Sequence, residues 1–138
     1  MGRSARPKTK PPKRSKYNAR KVWIDGIKFD SQREGEYYLL YKEMEAKGEI
    51  SDLRLQVPYT LLPKITEEYE EIKHLKTKDK MVRKERVIQN ATTYKADFVF
   101  TKDGEEMVVD VKGRRTKEYE LKKKMMFALL GIRITEVK

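Results

Sequence analysis

The chain of 138 residues has no cysteine and a single histidine. No disulfide, thiol nucleophile or zinc–cysteine site can be built from it. His74 alone cannot supply the paired imidazoles of a His-based metal or nuclease centre. Long apolar runs are missing too: the longest, residues 125–132, falls far short of the ~20 residues that span a bilayer. The N-terminus is basic but has no apolar core of a signal peptide. A soluble, cytoplasmic protein without a membrane partner is the expectation.

Acidic residues are also absent from one region. The 33 Lys+Arg outnumber the 22 Asp+Glu for a net charge of +11, and the surplus is uneven. Residues 1–20 contain eight basic side chains, among them Arg14, Lys16 and Arg20, and the first carboxylate is Asp25. With Pro7, Pro11 and Pro12 set among Lys, Arg and Ser, this segment has nothing to bury and reads as a disordered arm. Residues 21–138 then form one domain, as the length suggests. A basic arm on a nearly balanced body points to a polyanionic partner, most often nucleic acid; a solubilising or targeting tail is the plainer alternative.

Structure is expected from about Lys21. Val22-Trp23-Ile24 and Ile27-Lys28-Phe29 flank Asp25-Gly26, a hairpin signal. Ser31 and Glu34 then make a capping box, and Tyr37, Tyr38, Leu40, Tyr41 and Met44 recur at helical spacing until Gly48. From Leu53 the period becomes two: Leu53, Leu55, Val57, Tyr59 and Leu61 point one way, Arg54 and Gln56 the other. Residues 63–88, acidic and then basic, read as an exposed excursion, either a long hairpin or a charged helix. Strands follow at residues 94–100 and 106–111 around Asp103-Gly104. Thr116 caps a last helix with a stripe of Tyr119, Leu121, Met125, Met126 and Leu129, and residues 132–137 close the chain as a strand. Hairpin, helix, strand, hairpin, helix, strand is an α/β pattern: a small sheet with helices packed on it.

The Asp103-Gly104 turn fixes a register. If its loop has two residues, Lys102 pairs with Glu105 and Asp97 stands opposite Asp110 on one face, β-carbons about 4.5–5.5 Å apart. Lys112 lies two residues beyond, on the same face. Like charges directly opposite destabilise a sheet, and a divalent cation would offset the repulsion. With only oxygen ligands on offer the ion should be hard, Mg²⁺ with Mn²⁺ as substitute, suited to metal-assisted phosphodiester hydrolysis. Lys112 would orient the attacking water or stabilise charge on the phosphate. The bland alternative is a surface hairpin whose aspartates pair with nearby lysines. Arg114, Arg115 and Lys117 follow at the start of a helix, where anions are favoured, whereas Lys122, Lys123 and Lys124 are explained as a solvated face.

Lys95-Ala96-Asp97-Phe98, Asp110-Val111-Lys112 and Phe29-x-Ser31-x-x-Glu34-x-x-Tyr37 together resemble the PD-(D/E)XK nuclease superfamily, in particular its small phage-type and Holliday-junction-resolvase-like members. A Gln-containing strand such as Leu55-Gln56-Val57-Pro58 is common there, and Ala96 replaces the motif proline. The resemblance covers about residues 17–137. It implies a restriction-endonuclease-like core (helix, three-stranded mostly antiparallel sheet, helix, strand) preceded by a short hairpin. Asp97 and Asp110, with the Val111 carbonyl and Glu34, would bind metal; Lys112 would be the catalytic lysine and Gln56 a further site residue. Capping is the alternative explanation for Glu34, and Glu36 takes its place if the helix register differs. The implied function is a Mg²⁺-dependent DNA endonuclease, acting on branched DNA as a homodimer in the resolvase-like case, in a bacterial host's cytoplasm if phage-encoded. The alternative is a non-catalytic DNA-binding module on a decayed nuclease fold.

Overall fold

The computed structural model describes residues 20–138. Of the expected basic arm only exposed Arg20 falls within it; Arg14 and Lys16 lie outside the described residues. Asp25 and Gly26 both take positive φ, 52° and 75°, the conformation of a tight two-residue hairpin turn. They join β1 (Val22–Ile24) to β2 (Ile27–Phe29). Helix α1 (Gln32–Ala46) starts where Ser31 Oγ accepts the Glu34 N–H at 3.2 Å. It is followed by β3 (Ser51–Leu62), β4 (Ile65–His74), β5 (Asp79–Gln89), β6 (Thr92–Lys102) and β7 (Glu105–Val111). Thr116 caps α2 (Lys117–Leu130), Gly131 ends it at φ 68°, and β8 (Ile134–Val137) follows.

Strands β3, β6, β7 and β8 form one sheet in that order, antiparallel except for the parallel β7–β8 pair. The Asp103-Gly104 turn, again with both φ positive, sets β6 against β7 from Lys102↔Glu105 to Phe98↔Val109. Side chains therefore alternate between two cores. Phe98, Phe100 and Val109 pack with Tyr38 and Tyr41 of α1. Val99, Val108 and Ile134 pack with Tyr119 and Met126 of α2. The helices cover opposite faces, giving an α/β fold that is mostly sheet.

Of the two readings of residues 63–88 the long hairpin holds: β4–β5 forms a two-stranded sheet of its own. Three other expectations change. Strand β8 begins at Ile134, because the Ile132 N–H is used in closing the helix end on Met126 O at 3.2 Å. The apolar residues of β3 do not share a face: Leu53 and Leu55 meet the α1 core, Val57, Tyr59 and Leu61 the α2 core. On the helices, Leu40, Leu121 and Leu129 are exposed, so each buried stripe is narrower than its apolar spacing suggests.

Candidate functional site

The break in β3 has a partner in β6. Leu55 pairs with Phe98 and Val57 with Ala96, and between them Gln56 faces Asp97 outside the regular ladder, with φ at 50°. On both strands the side chains change faces across this point: Leu55 and Phe98 lie on the α1 side, Val57 and Ala96 on the α2 side. Such local disruptions re-aim side chains beside functional sites. Released from the ladder, the Asp97 carboxylate accepts the Val111 N–H at 2.8 Å and the Gln56 amide at 3.4 Å.

Asp110 is next to Val109 on β7 and only 4% exposed. Its Oδ2 accepts the Tyr94 hydroxyl at 2.5 Å. Its Oδ1 lies 2.8 Å from Lys112 Nζ, yet that contact is poorly aligned, and the buried oxygen has no directed hydrogen bond among the described residues. The close ion contact is the dominant effect, and it leaves a lone pair unused. Lys112 Nζ also lies 3.5 Å from the centre of the Tyr119 ring. The Tyr119 hydroxyl donates to Glu136 at 2.9 Å; Glu136 also receives Lys123 at 2.6 Å and Arg115 at 2.5 Å.

Glu34 comes from the first turn of α1, next to Gly35, which is buried under the β1–β2 hairpin. Burial first, then the charges of Asp97, Asp30 and Asp110, push its carboxyl up to about 7. Asp97 is pushed up to about 6, chiefly by burial; the Val111 N–H works against the shift and Asp110 adds to it. Both shifts are mainly desolvation of a buried carboxyl, to which neighbouring carboxylates add. Burial followed by the bond to Asp110 also raises Tyr94. Glu136 is lowered, first by its bond to Lys123.

Glu34, Asp97, Asp110, Val111 and Lys112 all line one open cleft of about 330 Å³, with Tyr94 and Tyr119 in its wall. Gln56 reaches it through its bond to Asp97. Glu36 is elsewhere, exposed and beside Arg33 at 4.0 Å. Arg115 is committed to Glu136, while Arg114 and Lys117 stand exposed at the entrance to α2. Tyr94, Tyr119 and Glu136 are the site residues that pattern reading missed. A tyrosine in an apolar alternation reads as core, and only the register shows where its hydroxyl ends. A larger cleft of about 690 Å³ between α2 and β8 offers no comparable carboxylate set, since its Glu136 is already ion-paired.

The donors of the small cleft suit a hard cation: carboxylate oxygens, one of them buried with an unused lone pair, and two carboxyls raised first by burial and then by neighbouring carboxylates. As arranged, no three acidic side chains among the described residues converge on a common point, and the Lys112 ammonium holds the place beside Asp110 Oδ1.

Residues 14–135 match the family described as "Protein of unknown function (DUF1064)". No curated protein and no solved structure matches the chain. No helix among the described residues is long and apolar enough to cross a membrane.

Proposed function

The chain belongs to that family, and we propose that it is a Mg²⁺-dependent endodeoxyribonuclease of the PD-(D/E)XK type, hydrolysing phosphodiester bonds in DNA. The observation that carries this reading is the meeting of Glu34, Asp97, Asp110 and Lys112, from α1, β6 and the end of β7, around one cleft. The element order around it, hairpin, helix, strand, hairpin, helix and strand once the inserted β4–β5 hairpin is set aside, supports a restriction-endonuclease-like core. Branched DNA of the Holliday-junction kind, cut by a homodimer, is the substrate class that the resemblance adds.

In this reading Asp97, Asp110 and Glu34, with the Val111 main chain, would hold Mg²⁺ or Mn²⁺ once Lys112 moves off Asp110 Oδ1. A bound ion of this kind lowers the pKa of a coordinated water and polarises the phosphoryl group. Gln56 and the Val111 N–H fix the Asp97 carboxylate, and the Tyr94 hydroxyl fixes that of Asp110. Lys112, steered by the Tyr119 ring, presents its ammonium to the scissile phosphate and stabilises the charge that develops there. Arg114 and Lys117, exposed at the start of α2, draw in the flanking phosphates.

A non-catalytic DNA-binding module is the competing reading, favoured by one observation: Lys112 already neutralises Asp110 at 2.8 Å. Calorimetric titration separates the two. The nuclease reading expects Mg²⁺ or Mn²⁺ binding that Asp97→Ala abolishes, together with metal-dependent cleavage of DNA. Salt-sensitive DNA binding with no metal uptake and no cleavage would support the competitor and refute the nuclease.

A further inference from the structure

The β4–β5 hairpin plays no part in the cleft. Neither strand joins the four-stranded sheet, and nearly every residue along it is exposed. A two-stranded ribbon is marginal alone in water. The shaft of this one is braced by cross-strand ion pairs: Arg86 with Glu67, Arg83 with Glu70 at 3.9 Å, and Lys84 with Glu71 at 2.6 Å. Arg86 also lies over the Tyr69 ring at 4.6 Å. Along the shaft, charge largely cancels.

The tip is built differently. Lys73 and Lys80 are register partners, so like charges face each other directly, an arrangement that weakens a ribbon. Lys76 and Lys78 lie in the connecting loop. The one carboxylate of this end, Asp79, is taken by His74 at 2.8 Å. Beside these lysines Ile72 and Met81, also register partners, are each more than half exposed, and Leu75 is exposed as well. The tip thus gathers four exposed lysines with no carboxylate partner among the described residues, beside an apolar pair that faces solvent.

We propose that this tip is a DNA-binding arm that enters the major groove of a duplex. Uncompensated ammonium groups call for a polyanion, and phosphate contacts supply it. A two-stranded ribbon, with strands about 4.8 Å apart, fits a major groove about 12 Å wide, where thymine methyl groups offer apolar contact to Ile72 and Met81. The chain from Lys80 to Asp97 is strand almost throughout. At roughly 3.3 Å per residue its contour is up to about 55 Å, or about one and a half turns of duplex. That contour is an upper limit, so the arm can meet DNA at up to about one and a half turns from the cleft. The proposal rests on DNA being the partner, and it does not require that the DNA be cut.

The test uses the full chain in EDTA, which silences cleavage, and a fluorescent duplex of about 30 base pairs, three turns, titrated by anisotropy at several salt concentrations. Replacing Lys73, Lys76, Lys78 and Lys80 by alanine should weaken binding about tenfold or more and reduce the slope of log affinity against log salt by about 3 to 4. Lys76→Ala with Lys78→Ala, outside the strands, should reduce it by about 2 without touching the ladder. Glu71→Ala with Lys84→Ala, which removes a compensated shaft pair, should change neither. Wild-type affinity and slope in the fourfold variant would overturn the arm, even if the enzyme cleaves DNA. So would Ile72→Ser with Met81→Ser dissociating an oligomer while DNA binding stays intact, which would make the tip a protein contact. Arm-dependent binding by a chain that never cleaves would uphold the arm and sink the nuclease.

Discussion

At the scale of single residues, the cleft holds buried carboxylates close to one another. Glu34 at about 7 and Asp97 at about 6 both sit above their ordinary values of 4.5 and 3.8. A raised acid favours the folded state when protonated. Its contribution is full below the ordinary pKa and is lost as pH rises through the folded value. In EDTA, thermal stability should therefore fall between about pH 4 and pH 7, and Glu34→Gln should flatten that decline; an unchanged pH profile in the variant would show that Glu34 is not part of the cluster. At pH 8, saturating Mg²⁺ should restore stability by about 2.7 kcal/mol at a hundred times its dissociation constant. The two-residue Asp-Gly turn made the register legible as far as Phe98↔Val109. The expected pairing of Asp97 with Asp110 is absent from the ladder, because β6 changes faces at Asp97 and its carboxylate turns to the Val111 N–H. Glu34 was legible because a Ser cap fixes the helix phase. Gln56 at positive φ was not, because nothing local demands that conformation; it arises where two strands change faces together.

Among the elements, the β1–β2 hairpin is what holds the start of α1, and with it Glu34, in place. A side chain at Gly35 would come within 2.9 Å of both Val22 and Ile24. Gly35→Val should destabilise the fold by about 1–3 kcal/mol through overpacking, measured by denaturant titration, and weaken Mg²⁺ binding by displacing Glu34. Unchanged stability would mean that the hairpin does not rest on α1. Most element types could be read from caps, turns and periodicity. The excursion at residues 63–88 could not, because its order comes from cross-strand pairs such as Glu71 with Lys84, which have no meaning until the register is known. The unbroken alternation from Leu53 to Leu61 concealed the switch of faces for a related reason: it keeps the same sequence period whichever core each residue enters.

For the whole molecule, the net charge of +11 divides among places with different tasks. On the proposed reading, lysines at the tip of the β4–β5 hairpin and the basic residues before Lys21 would attract phosphate without reading sequence, whereas Lys112 sits among carboxylates inside the cleft. Deleting residues 1–16 should weaken DNA binding and flatten its salt dependence while calorimetric Mg²⁺ affinity stays the same; loss of the metal site would contradict that division. The most direct measurement is cleavage of Holliday junctions, forks, single strands and linear duplex in Mg²⁺ by wild type, Asp110→Asn and Lys112→Ala. The account predicts cutting of at least one of these DNAs by wild type, none by Asp110→Asn, and a rate about 10²–10³-fold lower for Lys112→Ala, the scale of losing one charge-stabilising donor. Cleavage by Asp110→Asn at the wild-type rate, or no cleavage of any substrate by wild type, would contradict it.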